Sequence, residues 1–146
     1  MFKNILIPLD GSTLSEQAVH QLPHVADKEA IIHLLQIVRI PKPSIEPEAL
    51  PTMPPTEAEE QLLNEARTYL NGKVNELRLA GFDVRGSVLP GDDPAYQIVS
   101  YASNKGIDLI VMSTHSRGGI KKLVFGSVTN DVVRHAPCPV LVVRTS

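Results

Sequence analysis

The segment that decides the fold is residues 107–128, which read IDLIVMSTHSRGGIKKLVFGSV. Its opening, Ile107 to Met112, is apolar except for Asp108, as expected for a parallel strand covered by helices on both faces. Gly126 and Ser127 then precede valines at helical spacing, so Ser127 is predicted to cap a helix whose first N–H groups stay free. A buried strand, a loop of small and cationic residues and a helix start together indicate a phosphate site in an α/β protein.

The same alternation of apolar runs and helical patterns extends outward along the chain. The predicted strands are Ile5–Leu9, Ile31–Val38, Phe82–Leu89, Asp108–Met112 and Val140–Val143. Helices lie between them, with predicted capping boxes at Thr13/Glu16 and Thr56/Glu59, a bend at Pro23, a cap at Asp93, and ends at Gly81 and Gly106. Strict β-α alternation predicts a parallel sheet with right-handed crossovers, hence an open doubly wound α/β domain.

Composition limits the class of protein. A chain of 146 residues that is 42% hydrophobic is predicted to be a single domain over residues 1–146. Its formal charge of −2 gives no field to attract nucleic acid or an acidic membrane, so neither partner is expected. The lone cysteine excludes an internal disulfide, and neither a signal peptide nor an apolar run of the roughly 20 residues of a membrane helix is found. We expect a cytoplasmic protein.

Residues 39–55 differ from the rest of the chain because they hold six of its twelve prolines. Proline cannot donate to a strand ladder and interrupts helices, so this segment is predicted to be a long, mobile surface loop. Two interpretations stay open, a plain connector and a lid beside the ligand site.

A ligand is expected beyond the carboxyl ends of the strands, where the strand order reverses. With the first strand central, its end at Pro8 to Ser12 and the end of the fourth strand at Met112-Ser113 flank that crevice, so the loop 113–127 opens onto it. Asp10 can accept hydrogen bonds from a base or ribose, while the loop offers hydroxyls, main-chain donors and the cations Arg117, Lys121 and Lys122 to phosphates. The alternative is that Asp10 is only a turn acceptor for the first helix and that the three cations are simply solvated.

Several other functions are disfavoured by what the sequence lacks. It contains no G-x-G-x-x-G after the first strand and no G-x-x-x-x-G-K-[ST], which disfavours dinucleotide dehydrogenases and P-loop NTPases. A receiver domain would need an aspartate where the third strand ends in Leu89-Pro90-Gly91. Cys138 is predicted to lie at the opposite end of the sheet, and His115 has no identifiable partner for general-base catalysis. No catalytic or zinc-binding group is therefore predicted.

The chain resembles the universal stress proteins of the UspA family over essentially its full length. The resemblance rests on Lys3 to Ser12, Leu34 to Val38, Asp108 to Met112, Gly126-Ser127-Val128 and His135 to Val143. It implies a Rossmann-like, five-stranded parallel sheet of order 3-2-1-4-5. It also implies a homodimer through the last strand, at Val140, Leu141, Val142 and Val143, where an unpaired apolar edge would otherwise invite aggregation.

The family's nucleotide motif is G-x-x-G, nine residues, then G-[ST]. Here it falls on Ser113, Ser116 and Gly126-Ser127, so the spacing is kept but two glycines are serines. Serine is costly, by roughly 1–2 kcal/mol, only where the backbone requires a positive φ or a close approach. The resemblance assigns base and ribose contacts to Pro8, Asp10, Ile37 and Met112. It assigns phosphate contacts to Ser113, Ser116, Arg117, Gly126, Ser127 and Val128.

Residues and resemblance together predict a homodimeric stress-response protein that binds ATP, accompanied by Mg²⁺, as a regulatory ligand rather than as a substrate. Slow hydrolysis stays open. The main alternative is a nucleotide-free interaction protein acting through its dimer surface, and a third is an enzyme acting on phosphate esters.

Overall fold

The computed structural model describes residues 2–40, 56–115 and 126–145, which form a parallel β-sheet with helices on both faces. The strands are β1 (Phe2–Leu9), β2 (Ala26–Val38), β3 (Asp83–Pro90), β4 (Leu109–His115) and β5 (Val140–Thr145). A 3₁₀ helix (Ser15–Gln21) is followed by α1 (Leu22–Val25), α2 (Glu57–Leu79), α3 (Pro94–Asn104) and α4 (Ser127–His135). The strand order is β3-β2-β1-β4-β5 and every pairing is parallel, which confirms the predicted fold.

The two faces of the sheet carry separate cores, as alternation along a strand requires. On β1, Ile5 and Ile7 face one core and Leu6 faces the other. The first core packs against the 3₁₀ helix and α2, and the second against α3 and α4. On α4 only part of the predicted apolar face is inward, since Val132 is fully buried and Val133 is 42% exposed.

The strands are longer than their apolar runs. β1 starts at Phe2 and β2 at Ala26, both within polar sequence. The start of β1 is held by Asp108, whose carboxylate accepts hydrogen bonds from the backbone N–H of Lys3 at 3.0 Å and of Asn4 at 2.9 Å. Polar strand ends are stabilised by such ladder and side-chain partners, which leave no hydrophobic signal in the sequence.

The first helical segment corrects the prediction of a capping box at Thr13/Glu16. The segment begins as a 3₁₀ helix whose N-cap position is Leu14, with no side-chain cap. Glu16 does not return to the backbone because its carboxylate pairs with Lys73 of α2. The predicted change at Pro23 is seen as the passage from the 3₁₀ helix into the short α1, where Pro23 lies in the first turn and needs no N–H partner.

The caps of α2 and α3 are as predicted. Glu59 donates its N–H to the Thr56 hydroxyl at 3.2 Å, and the Glu59 carboxylate accepts the Thr56 N–H at 3.0 Å. Asp93 caps α3 by accepting the N–H of Tyr96 at 3.1 Å. Within the described ranges, no helix is both long and apolar enough to cross a lipid bilayer.

The proline-rich loop predicted at 39–55 falls almost entirely, over residues 41–55, outside the described residues. Only Arg39 and Ile40, directly after β2, are described.

Candidate functional site

A crevice of about 330 Å³ opens at the carboxyl ends of β1, β2 and β4, on the face of the sheet that packs against α3 and α4. The crevice lies where the strand order of the parallel sheet reverses, and there the loops that follow the strands leave space for a ligand. The residues that line it are Pro8, Leu9, Asp10, Ser15, Leu35, Ile37, Arg39, Pro94, Ile98, Met112, Ser113, Val128 and Thr129. Six of the ten predicted site residues are among them, namely Pro8, Asp10, Ile37, Met112, Ser113 and Val128.

The other four predicted site residues divide into two pairs. Gly126 and Ser127 are exposed at the start of α4, directly before the lining residue Val128. Ser116 and Arg117 lie outside the described residues, as do Lys121 and Lys122. The structure therefore brings together the strand ends and the start of α4.

The start of α4 corrects the prediction that Ser127 is its cap. Gly126 occupies the N-cap position with an extended backbone (φ −62°, ψ 163°), and Ser127 is already the first helical residue. No side chain from the described part of the chain caps this end. The first backbone N–H groups of α4 therefore have no intrahelical acceptor and no side-chain cap from the described residues, and together with the partial positive charge of the helix end they favour an anion.

Asp10 is held in a tight turn at the end of β1. Its Oδ1 accepts the N–H of Ser12 at 2.9 Å and also the Ser12 hydroxyl, while Gly11 between them has a φ of +88° that favours glycine. Partial burial by itself would raise the pKa of the Asp10 carboxyl. The hydrogen bonds from Ser12, followed by those from the Ser15 hydroxyl and the Asp10 N–H, outweigh it, so the pKa lies below the ordinary 3.8. Asp10 is thus a turn acceptor, as the alternative interpretation of this residue predicted.

Ser113 stands where the family motif has its first glycine, and its backbone does not require glycine. The residue lies inside β4, and none of the described non-glycine residues has a positive φ. Its hydroxyl donates to the Ser15 carbonyl at the long distance of 3.5 Å, which ties β4 to the segment after β1. The first serine is therefore compatible with the backbone of the site, and Ser113 is among the residues that line the crevice.

The wall of the crevice is mostly apolar, and the sequence predicted only part of it. Leu35, Ile37 and Arg39 lie two residues apart, so the period of β2 was a signal that could have found Leu35 and Arg39 once Ile37 was identified. Pro94 and Ile98 of α3, and Thr129 of α4, reach the crevice only through helix packing. No local pattern announces these three contacts.

Outside the crevice, two residues with reactive side chains have structural surroundings. Cys138 is half-buried, and burial, followed by the negative charge of Asp108, raises the pKa of its thiol above 9.0. His33 of β2 is only 5% exposed, and its Nδ1 lies 2.9 Å from the hydroxyl of Tyr101 on α3. In the described ranges, no three His, Cys, Asp or Glu side chains come close enough to hold a metal ion.

Comparison with known proteins identifies relatives over the whole chain. The model of the universal stress protein family matches residues 1–144. Universal stress protein MJ0531 of Methanocaldococcus jannaschii is 34% identical over 146 residues, covering 99% of this chain and 83% of its own length. The solved structure of the hypothetical protein MJ0577 has a TM-score of 0.76 at 26% identity, covering 100% of this chain and 98% of that one.

A more distant structure shows the same fold. It is a universal stress protein family protein from Arabidopsis thaliana with AMP bound, with a TM-score of 0.64 at 17% identity. The superposition covers 99% of this chain and 92% of that one.

Proposed function

The chain belongs to the universal stress protein family, and we propose that it binds ATP, accompanied by Mg²⁺, as a regulatory ligand in the crevice. The observation that carries the proposal is the convergence of six predicted contact residues, from three strands and a helix, on one cavity. The AMP-bound family member from Arabidopsis thaliana supports an adenine nucleotide as the ligand class.

The residues present suit a nucleotide in both size and chemistry. A ligand cavity is typically about 300–1,000 Å³, mostly apolar, with a few placed polar groups. Ile37 and Met112 offer apolar contacts to the base, and the Asp10 carboxylate offers an acceptor to the ribose. The start of α4 offers main-chain donors to phosphates, and the Ser113 hydroxyl can add another by giving up its long bond to the Ser15 carbonyl. Mg²⁺, usually held by one or two carboxylates and the phosphates themselves, would neutralise phosphate charge, with Asp10 the carboxylate at hand.

A regulatory role is supported by what the crevice offers for proton transfer. Among the described lining residues, Asp10 is the ionisable group able to act as a base, and its lowered pKa makes it a weak one. Binding and orientation are what these residues can supply.

The nucleotide proposal is tested by chromatography of small molecules released from the denatured protein, followed by calorimetry with Mg-ATP. We expect an adenine nucleotide in the released fraction or a saturable heat of binding. If neither is found at millimolar ligand, the crevice is not a nucleotide site, and the nucleotide-free interaction protein becomes the better description.

A matched pair of aspartates tests the role of Asp10. Asp10→Asn keeps a turn acceptor but removes the charge. Because a hydrogen bond to a charged group contributes about 1.5–3 kcal/mol, its loss should lower the affinity for ATP roughly tenfold or more. Asp27 is the control, since its Oδ1 likewise accepts the N–H of the residue two positions on, Glu29, at 3.1 Å, and it lies at the start of β2 and not among the lining residues of the crevice. Asp27→Asn should leave the affinity for ATP unchanged.

We further propose that the protein is a cytoplasmic homodimer paired through β5. In the observed strand order β5 is an edge strand, and Val140 to Val143 are half-buried within one chain. A second copy would cover this apolar edge. Light scattering should find a dimer in the parent protein, a monomer in Val142→Lys, and a dimer in the control Val133→Lys on α4. A dimer that survives Val142→Lys would exclude this interface.

A further inference from the structure

Arg39 is a lining residue of the crevice that none of the motif positions includes. It follows β2 directly, two residues beyond the lining residue Ile37 and four beyond Leu35. Its side chain is exposed and forms no ion pair within the described part of the chain. Among the described lining residues it is the cation, so its guanidinium is available to a ligand.

The sheet places Arg39 on the rim opposite the start of α4. β2 and β4 pair with the two sides of β1, and neighbouring strands lie about 4.8 Å apart, so β2 and β4 are separated by about 10 Å. Val128 and Thr129, in the first turn of α4, line the crevice on the side of α4. A nucleotide whose phosphates lie at the start of α4 therefore directs its base toward β2 and Arg39.

We propose that Arg39 binds the nucleobase by stacking its guanidinium on the ring, and does not pair with the phosphates. The inference rests on the proposed nucleotide site. Ile37, which lies over the fully buried Leu35, supplies an apolar surface beside Arg39, against which one side of a flat ring can pack. The planar guanidinium stacks on aromatic rings, where an ammonium group offers only a point charge.

A binding experiment can distinguish a contact of Arg39 with the base from a contact with the phosphates. Adenosine, AMP, ATP and ribose 5-phosphate are titrated by calorimetry into the full-length parent protein, Arg39→Ala and Arg39→Lys. Arg85→Ala is the matched control, because Arg85 is an exposed arginine on β3 that does not line the crevice. Since Arg39 is exposed and has no ion pair among the described residues, its variants should have the same melting temperature as the parent protein.

Arg39→Ala should lower the affinity for adenosine, AMP and ATP by the same factor, roughly threefold to thirtyfold, as expected for loss of a cation–π contact. Arg39→Lys should recover only part of the affinity, and ribose 5-phosphate should bind the parent and Arg39→Ala equally. Arg85→Ala should bind all four ligands as the parent does.

Two results would overturn the inference while leaving the nucleotide site intact. One is a loss that grows with the number of phosphates or extends to ribose 5-phosphate, which would make Arg39 a phosphate ligand. The other is unchanged affinity of Arg39→Ala for all three nucleosides and nucleotides. If the parent protein binds none of the four compounds, the proposed function itself is wrong and the role of Arg39 fails with it.

Discussion

Gly86 on β3 lies directly against two core side chains of α2. A Cβ built at Gly86 would lie 2.9 Å from Cγ2 of Val74 and 3.2 Å from Cδ2 of Leu70. Both neighbours are core residues, Val74 being 5% and Leu70 2% exposed, and neither can swing into solvent. The β-branched Val74 also has one strongly preferred rotamer in a helix. Gly86→Ala must therefore push α2 away from β3 or strain Val74.

The cost follows from two opposing terms. Overpacking a close-packed site costs about 1–3 kcal/mol. Replacing glycine by alanine restricts the unfolded chain and returns about 0.4–1 kcal/mol. Gly86→Ala should therefore lower the free energy of unfolding by about 1–2 kcal/mol.

Gly72 provides the matched control, because it lies within α2 and a Cβ there meets no atom within 4 Å. Alanine is favoured over glycine in a helix by about 0.8–1 kcal/mol, so Gly72→Ala should raise the free energy of unfolding. The same substitution should thus lower the free energy of unfolding at Gly86 and raise it at Gly72. Urea unfolding gives both values, provided that the slope against denaturant is unchanged.

The reasoning would be refuted if Gly86→Ala were as stable as Gly72→Ala. A second check combines Gly86→Ala with Val74→Ala, which removes the methyl group nearest the new Cβ. Because the two side chains compete for the same space, the double variant should be more stable than the sum of the single changes indicates.

Three further predictions concern other contacts. Burial, followed by the positive charges of Arg85 and Lys105 and opposed by Asp83, lowers the pKa of His33 below its ordinary 6.5. The unfolded chain then takes up the proton first, so the stability due to neutral His33 is complete above pH 6.5 and is lost as pH falls below it. Thermal melting should show a steeper loss below pH 6.5 in the parent than in His33→Gln, and equal slopes would contradict this. Thr56→Ala removes the capping hydroxyl of α2 and should cost about 1 kcal/mol of unfolding free energy in urea, whereas Thr56→Ser should cost little. Asp108→Ala leaves two N–H groups of β1 without their acceptor and should cost about 1–3 kcal/mol in the same assay, more than Asp108→Asn, which keeps an acceptor oxygen.

The two predicted capping boxes show why local patterns succeed at one place and fail at another. Thr56/Glu59 forms its box because the two residues lie three apart at a helix start, where each side chain reaches the backbone N–H of the other. Thr13/Glu16 has the same spacing, but the Glu16 carboxylate pairs with Lys73, which is 57 positions away in sequence. Lys73 meets Glu16 only because α2 packs beside the first helical segment, so no short stretch of sequence contains both residues.

The candidate site divides in the same way. Pro8, Asp10, Met112 and Ser113 were predictable because they end apolar runs, and parallel strands place their carboxyl ends at one edge. Ile37 and Val128 came with the family resemblance. Ile98, Pro94 and Thr129 entered the site only because α3 and α4 pack against that face of the sheet.

By itself, the sequence determined which segments are strands and helices, the parallel class of the sheet and the edge at which a ligand is expected. Apolar runs, helical periodicity and most caps depend on residues a few positions apart, so they can be read locally. Only the tertiary structure decided that Glu16 binds Lys73, that Gly126 rather than Ser127 caps α4, and that Arg39 faces the crevice. These features arise from contacts between distant segments or from the backbone angles that a packed loop imposes, and hydrophobic patterning carries no information about either.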